Sequence, residues 1–407
     1  MALTPKTVDS LLERGYSRRM IGRISLGLAA AVPLFNEFAQ AQQSAEQAAR
    51  GRRSGAGDGE RPYDPDTVVI SSNENPMGPT AQGLEAMAKV APLGWRYHPR
   101  GENLEFDTLL VSTENIKPGY VNAYPGSSQP LAQCAPAFTS PSRPWVMGSP
   151  GYGNGASRFV GNKTIKVPLR KDYSHDVEAM IKADPNAGAF YICNPNNPSG
   201  TLTSMKDFQY ILDNKPKDSV LIVDEAYVHF ADPEKTSAME LVRQDKDVVI
   251  LRTFSKIYGM AGLRAGAIYG RPDLLAKVGE YGRANFMPVT ATACAAASLK
   301  AIKTILPERI AINKKNREYA YETMDKLGVS YIPSQSNFFM MSVKGMTGAQ
   351  VYTAMASKKV MLAGAGRWPE WPQQIRVTVG TYDEMTKFNA ALTQVVKEGA
   401  TTSAKAG

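Results

Sequence analysis

Val248-Val-Ile-Leu-Arg-Thr-Phe-Ser-Lys-Ile-Tyr-Gly-Met-Ala-Gly-Leu-Arg264 opens as an unbroken apolar run, Val248 to Leu251, and continues into polar chain carrying Ser255, Lys256 and Arg264. A short continuous apolar run is the pattern of a strand buried on both faces. Lys256 then stands just past the end of such a strand. A lone lysine there covers core with its stem and keeps its ammonium in water. Desolvated among apolar neighbours, the same amine has a lowered pKa and attacks carbonyls to form a Schiff base. The neighbouring strand ends decide between the two.

Further apolar runs lie at residues 144–147, 164–167, 189–193, 220–223 and 265–269, with helical patterns between most of them, such as 204–214 and 273–281. Strands of this kind separated by helices predict an α/β fold with a largely parallel sheet covered on both faces. Functional residues then gather in the loops at the strand ends. Beyond Pro307 the pattern changes to a long helix up to about residue 327, strands within 329–343 and at 375–379, and a helix over 383–397. That predicts a second, smaller α+β domain, joined by the segment near Val68.

Three strand ends carry polar residues that a buried sheet does not otherwise select. Asn194-Pro-Asn-Asn-Pro-Ser-Gly200 follows one, Asp224-Glu-Ala-Tyr227 the next, and Ser255-Lys-Ile-Tyr-Gly-Met-Ala-Gly-Leu-Arg264 the third. These motifs, in this order, resemble the class I/II aminotransferases of PLP fold type I, nearest to their histidinol-phosphate aminotransferase branch, over residues 62–397. The resemblance implies a large domain with a mostly parallel seven-stranded sheet between helices, plus a smaller α+β domain. It implies pyridoxal 5'-phosphate as cofactor, with Lys256 holding it as a Schiff base and then moving a proton.

By the same resemblance Asp224 pairs with the pyridine nitrogen, and Asn197 and Tyr227 hydrogen-bond the phenolic oxygen. Gly126, Ser127 and Ser128 open a helix whose amides and dipole suit a phosphate, and Ser255 and Arg264 complete the cup. Tyr152 matches the aromatic that stacks on the cofactor ring. Tyr97 matches a tyrosine that reaches the phosphate of a neighbouring subunit, which implies a homodimer with shared active sites. Arg376 matches the bidentate clamp on a substrate carboxylate, with Asn75 lining the same pocket. The implied partners are a small-molecule amino donor and a 2-oxo acid acceptor. A fold-type I decarboxylase of the threonine-phosphate kind, or an amino-acid oxidase, shares the Lys, Asp, Asn and Tyr set and stays open as an alternative.

The sequence departs from the branch at one place. Histidinol-phosphate enzymes carry a second arginine for the substrate phosphate, and Val360-Met-Leu-Ala-Gly-Ala-Gly366 has none near Ala363. Arg367 stands instead in an unusual loop, Gly366-Arg-Trp-Pro-Glu-Trp-Pro372, and is a candidate substrate residue. Trp368 and Trp371 read either as a specificity element or as packing.

The front of the chain differs from the rest. Arg18-Arg19 precede a weakly apolar run over 24–35, and Ala39-Gln-Ala41 offers a small-x-small cleavage site, the layout of an export signal of the twin-arginine type. The run of about 12 residues is short of the roughly 20 that span a bilayer. The other reading is an amphipathic helix of the folded domain. The expected order is an export signal over 1–41, a flexible linker over 42–61, a segment over 62–95 joining the small domain, the large domain over 96–305, the small domain over 306–397 and a disordered tail over 398–407. Export machinery is then a transient partner, and the destination periplasmic or secreted after folding with cofactor in the cytoplasm.

At 407 residues and 43% hydrophobic the chain is long enough for two or three domains. The net charge of +9 comes from scattered Lys and Arg without a basic tract interleaved with aromatics, which argues against nucleic acid. Three dispersed cysteines and three histidines without ligand spacing read as free thiols and no metal site.

Overall fold

The computed structural model describes residues 3–25, 64–97, 101–152, 161–282, 287–364 and 366–404. They divide into two compact units, one from Met1–Val32 and Met77–Ile310, the other from Pro33–Pro76 and Ala311–Gly407. A short strand, β1 (Val68–Val69), belongs to the second unit.

The first unit is built on β2 (Val121–Tyr124), β3 (Trp145–Ser149), β4 (Thr164–Pro168), β5 (Ala189–Cys193), β6 (Val220–Asp224), β7 (Val248–Thr253) and β8 (Gly266–Gly270). They form one seven-stranded sheet in the order β2-β8-β7-β6-β5-β3-β4. Pairing is parallel from β4 through β7, and β8 runs antiparallel to both β7 and β2. Every residue of β3, β5, β6, β7 and β8 is buried, as continuous apolar strands between helical layers require. Register sets Cys193 opposite Asp224 and Asp224 opposite Leu251. The loops after three neighbouring parallel strands therefore open at one edge.

The helix Ala81–Val90 corrects the expected domain boundary. It lies in the first unit, whereas residues 62–95 were expected with the small domain. Small residues explain it: a Cβ on Gly83 would stand 2.7 Å from Cys294 Sγ, and Thr80 and Ser298 share a 3.1 Å hydrogen bond. The helix thus packs closely on Val289–Lys300. The other boundary falls inside the helix Ile302–Leu327.

In the second unit β9 (Ser330–Ile332), β10 (Phe338–Ser342), β11 (Val360–Met361) and β12 (Ile375–Thr378) make two small sheets. One is antiparallel in the order β12-β10-β9, and the other pairs β1 with β11 in parallel. Phe339, Met341, Ile375 and Val377 enter the unit's core with Met324, Val351, Phe388 and Leu392. Strand alternation therefore sends Phe338, Met340, Arg376 and Thr378 to the opposite face. The last helix, Tyr382–Ala404, continues through the expected tail at 398. No proline stops it, and Lys358 holds Glu398 at 2.8 Å.

The described front of the chain, residues 3–25, belongs to the first unit. Thr4 caps the helix Pro5–Glu13, residues 18–25 are helical, and Leu11, Tyr16, Ile21 and Ile24 are buried. Arg14 donates to the Tyr281 hydroxyl at 2.8 Å and to the carbonyls of Pro136 and Thr139, and Tyr16 donates to the Thr139 carbonyl at 2.6 Å. These bonds hold residues 3–25 within the first unit. Most of the apolar run, the Ala39–Ala41 site, the 42–61 linker and residues 405–407 lie outside the described residues.

Candidate active site

Asp224 ends β6 with its carboxylate 3% exposed. Tyr191 on β5 donates its hydroxyl to Oδ2 at 2.9 Å, and the Ala226 amide donates to Oδ1 at 3.1 Å. Burial pushes the Asp224 pKa up from 3.8 to about 6, and these two hydrogen bonds, with the Lys256 charge, offset part of the rise. The next residue has a different task. Glu225 is bound by Arg252 at 2.8–2.9 Å, by Ser237 and by the Ala238 amide, so its charge is matched inside the protein. Glu225 directly follows β6 and faces Arg252 and Ser237, whereas Asp224 faces Tyr191, which separates a neutralised structural carboxylate from one suited to a cationic ligand.

Beside Asp224, Tyr227 is buried and its ring centroid lies 5.8 Å from Lys256 Nζ. Asn197 Nδ2 donates to the Tyr227 hydroxyl at 3.4 Å. The loops after β5, β6 and β7 thus converge as the sheet register requires.

At the other end of this cluster Arg264 holds a left-handed backbone, φ 62°, and its Nη1 donates to Ser255 Oγ at 3.3 Å and to the Ala261 carbonyl at 3.0 Å. Burial lowers its pKa, and among the described residues its hydrogen-bond partners are neutral. Such a guanidinium is suited to an external anion. Gly126 has φ 83°, and a Cβ there would overlap the Arg264 guanidinium. Ser127 caps the helix Ser128–Phe138 by position without spending its hydroxyl on a cap bond. Gly126, Ser127, Ser128, Ser255 and Arg264 therefore form a concave set of donors at a helix N-terminus, matched to a phosphate. A buried carboxylate at one end and an anion cup at the other, with the lysine between the motifs in sequence, fit the donor set of pyridoxal 5'-phosphate.

Tyr152 lies within electrostatic range of both Arg264 and Tyr191, hence at this cluster. Tyr97 is 79% exposed and Trp95 72% exposed. Tyr191 escaped the sequence reading. The signal was present: a tyrosine inside a fully apolar strand needs a partner for its hydroxyl.

In the second unit Arg376 is 2% exposed on β12 and donates from Nη2 to the Ser71 carbonyl at 2.9 Å. Its Cζ lies 5.4 Å from the Phe338 ring and 5.4 Å from the Trp368 ring. The Asn73 amide donates to Thr378 Oγ1 at 2.9 Å, and Asn337 donates to the Asn73 and Glu74 carbonyls. These bonds fasten the segment carrying Asn75 beside Arg376. Ala363 is buried, with its amide on the Arg376 carbonyl at 3.1 Å. Arg367 Cζ lies 5.5 Å from the Trp368 ring. Among the described residues no group of histidine, cysteine and acidic side chains could hold a metal.

Residues 66–392 match the family described as aminotransferase class I and II. A histidinol-phosphate aminotransferase of Symbiobacterium thermophilum is 32% identical over 341 residues, covering 82% of this chain and 92% of its own. Among solved structures, a histidinol-phosphate aminotransferase from Sinorhizobium meliloti in complex with pyridoxal-5'-phosphate has a TM-score of 0.72 at 25% identity, covering 82% of this chain and 91% of that one. The histidinol-phosphate aminotransferase from Clostridium acetobutylicum shares the fold, with a TM-score of 0.74 at 20% identity over 81% and 99% of the two chains.

Proposed function

The chain belongs to the class I and II aminotransferases and is a pyridoxal 5'-phosphate-dependent enzyme that moves amino groups, and from that premise we propose which of its residues carry the reaction. The observation that supports the assignment most directly is the buried Asp224, hydrogen-bonded by Tyr191 and close enough to Lys256 to register its charge.

Bound here, the cofactor supplies an electron sink that makes the α-proton of an amino acid removable. Lys256 binds the cofactor and then takes up and returns that proton. Asp224 pairs with the ring nitrogen: burial has already removed water from the carboxylate, so a cationic partner stabilises it strongly. Asn197 and Tyr227, already hydrogen-bonded to each other, orient the ring oxygen. Gly126, Ser127, Ser128, Ser255 and Arg264 hold the phosphate, and Tyr152 flanks the ring. Arg376, with Asn75 and Arg367 near it in the second unit, takes the substrate's anionic group.

Borohydride treatment of the holoenzyme followed by peptide mapping tests the assignment; attachment anywhere but Lys256 sinks it. Incubation with single amino acids, without a 2-oxo acid, should bleach the holoenzyme absorbance and release one 2-oxo acid per site. Release of CO2 or peroxide in its place would move the enzyme to the decarboxylase or oxidase reading.

Two further assignments rest on the family and on exposure. Tyr97 is proposed to serve the phosphate of a second copy of the chain. A sedimentation-defined dimer in which Tyr97→Phe weakens cofactor binding supports this, and a monomer with full activity overturns it. Arg18 and Arg19 are exposed on a segment otherwise packed into the first unit, so a machinery that exports folded proteins could read them. Changing both to Lys should abolish delivery across the membrane; undiminished delivery rejects the assignment.

A further inference from the structure

Trp368 is the feature that the family assignment leaves without a task. Its loop is not loosely tethered. The Trp371 amide donates to the Trp368 carbonyl at 2.9 Å, the Gln374 amide to the Trp371 carbonyl at 3.0 Å, and the Gly348 amide to the Pro372 carbonyl at 2.9 Å. Trp368 itself is buried, whereas Trp371 is only half-buried.

Arg376 shares its sheet face with Phe338, because β10 and β12 pair Phe338 with Thr378 and Met340 with Arg376. That diagonal relation lies within reach of a long side chain and an aromatic ring, and the separation is 5.4 Å. Trp368 brings a second ring to the same guanidinium at the same distance from a different part of the chain. Cation–π attraction acts within about 6 Å and strengthens on desolvation. Guanidinium groups prefer to stack their faces on rings, which leaves the in-plane N–H donors for a planar acceptor. The Ser71 carbonyl fixes one terminal nitrogen. Three contacts from separate segments thus restrain a side chain whose rotamer freedom would otherwise be lost on binding.

We propose that Trp368 is a positioning residue that, with Phe338, pre-orients Arg376 as a fork for the α-carboxylate of the substrate. The proposal rests on the reading of Arg376 as the substrate's anion clamp. It also gives the loop Gly366-Arg-Trp-Pro-Glu-Trp-Pro372 a function at the place where Ala363 supplies no second guanidinium. A single oriented arginine matches a carboxylate monoanion in charge and shape; a phosphate ester carries about −1.5 to −2 near pH 7.

The test uses full-length holoenzyme and whichever of L-glutamate, L-histidine or L-phenylalanine bleaches its absorbance. Trp368→Leu, which keeps an apolar side chain but removes the π face, should raise KM about tenfold with kcat within about threefold, the scale of one cation–π contact. Trp368→Phe should recover most of the loss. On an Arg376→Lys background, Trp368→Leu should add less than about twofold, since the contact it removes is already broken. Leucine performing as well as phenylalanine, or Trp368→Leu retaining its whole tenfold effect on Arg376→Lys, overturns the positioning role. Should Arg376→Lys itself leave KM unchanged, the anion-clamp assignment falls and takes the proposal with it. That result differs from intact Arg376 dependence with indifferent Trp368 variants, which removes the positioning role alone.

Discussion

Asp224 shows how a site residue can stabilise a complex while weakening the free protein. Between about pH 4 and pH 6 the folded carboxyl keeps a proton that the unfolded chain has released, because burial raises its pKa to about 6. Stability of the cofactor-free protein therefore falls as pH rises through that window. Asp224→Asn should be more stable than the parent at pH 7.5, by roughly 3 kcal/mol for a shift of about two pKa units, with the advantage vanishing near pH 4. The same substitution should cut kcat at least about a hundredfold, a loss of about 2.7 kcal/mol in barrier lowering. A parallel pair of melting curves and steady-state assays decides it. Gly126→Ala is expected to weaken cofactor binding at least about tenfold, because the new methyl displaces Arg264 and strains a positive φ. Cofactor titration followed by absorbance measures this. Lys256, Asp224, Asn197, Tyr227 and Arg264 were legible as types at set spacings, in the chain that ends or follows the three neighbouring strands β5, β6 and β7. Tyr191 was legible only as a buried hydroxyl in need of a partner; that the partner is Asp224 depends on the register of two strands.

At the scale of elements, the parallel run β5-β6-β7 sets the three site loops side by side, and the apolar runs predicted that run directly. Helix membership was harder to read. Residues 81–90 precede the large sheet in sequence and lie next to β1, which belongs to the other unit, so proximity along the chain suggested the small domain. Packing against Val289–Lys300 overrides that, through Gly83 and the Cys294 and Ser298 side chains it meets. Gly83→Val should destabilise the first unit by about 1–3 kcal/mol, as overpacking of a close contact does. Urea unfolding with unchanged m-value is the measurement; a neutral result would mean that the contact at Cys294 yields without cost.

At the scale of the whole molecule, the front of the chain combines a leader-like pattern with contacts inside the first unit. Charge, apolar run and cleavage site in that order describe a leader, yet Arg14 and Tyr16 are bonded to carbonyls at the end of the helix whose beginning carries Ser127 and Ser128. Arg14→Ala should lower the melting temperature by several degrees, corresponding to about 1–3 kcal/mol for carbonyls left without their charged donor. Intact mass spectrometry of the mature enzyme bears on the same segment, since a chain beginning after Ala41 could not make these contacts.

The cofactor chemistry was already present in local patterns, because a buried strand announces itself by its apolar run and its functional loop follows immediately. A parallel sheet needs no further instruction to gather such loops at one edge. Long-range packing made the remaining decisions: which hydroxyl binds Asp224, which unit owns residues 81–90, how residues 3–25 dock, and that Trp368 comes to rest beside Arg376. Those outcomes depend on register, volume and facing partners far apart in the chain, quantities that no short stretch of residues carries by itself.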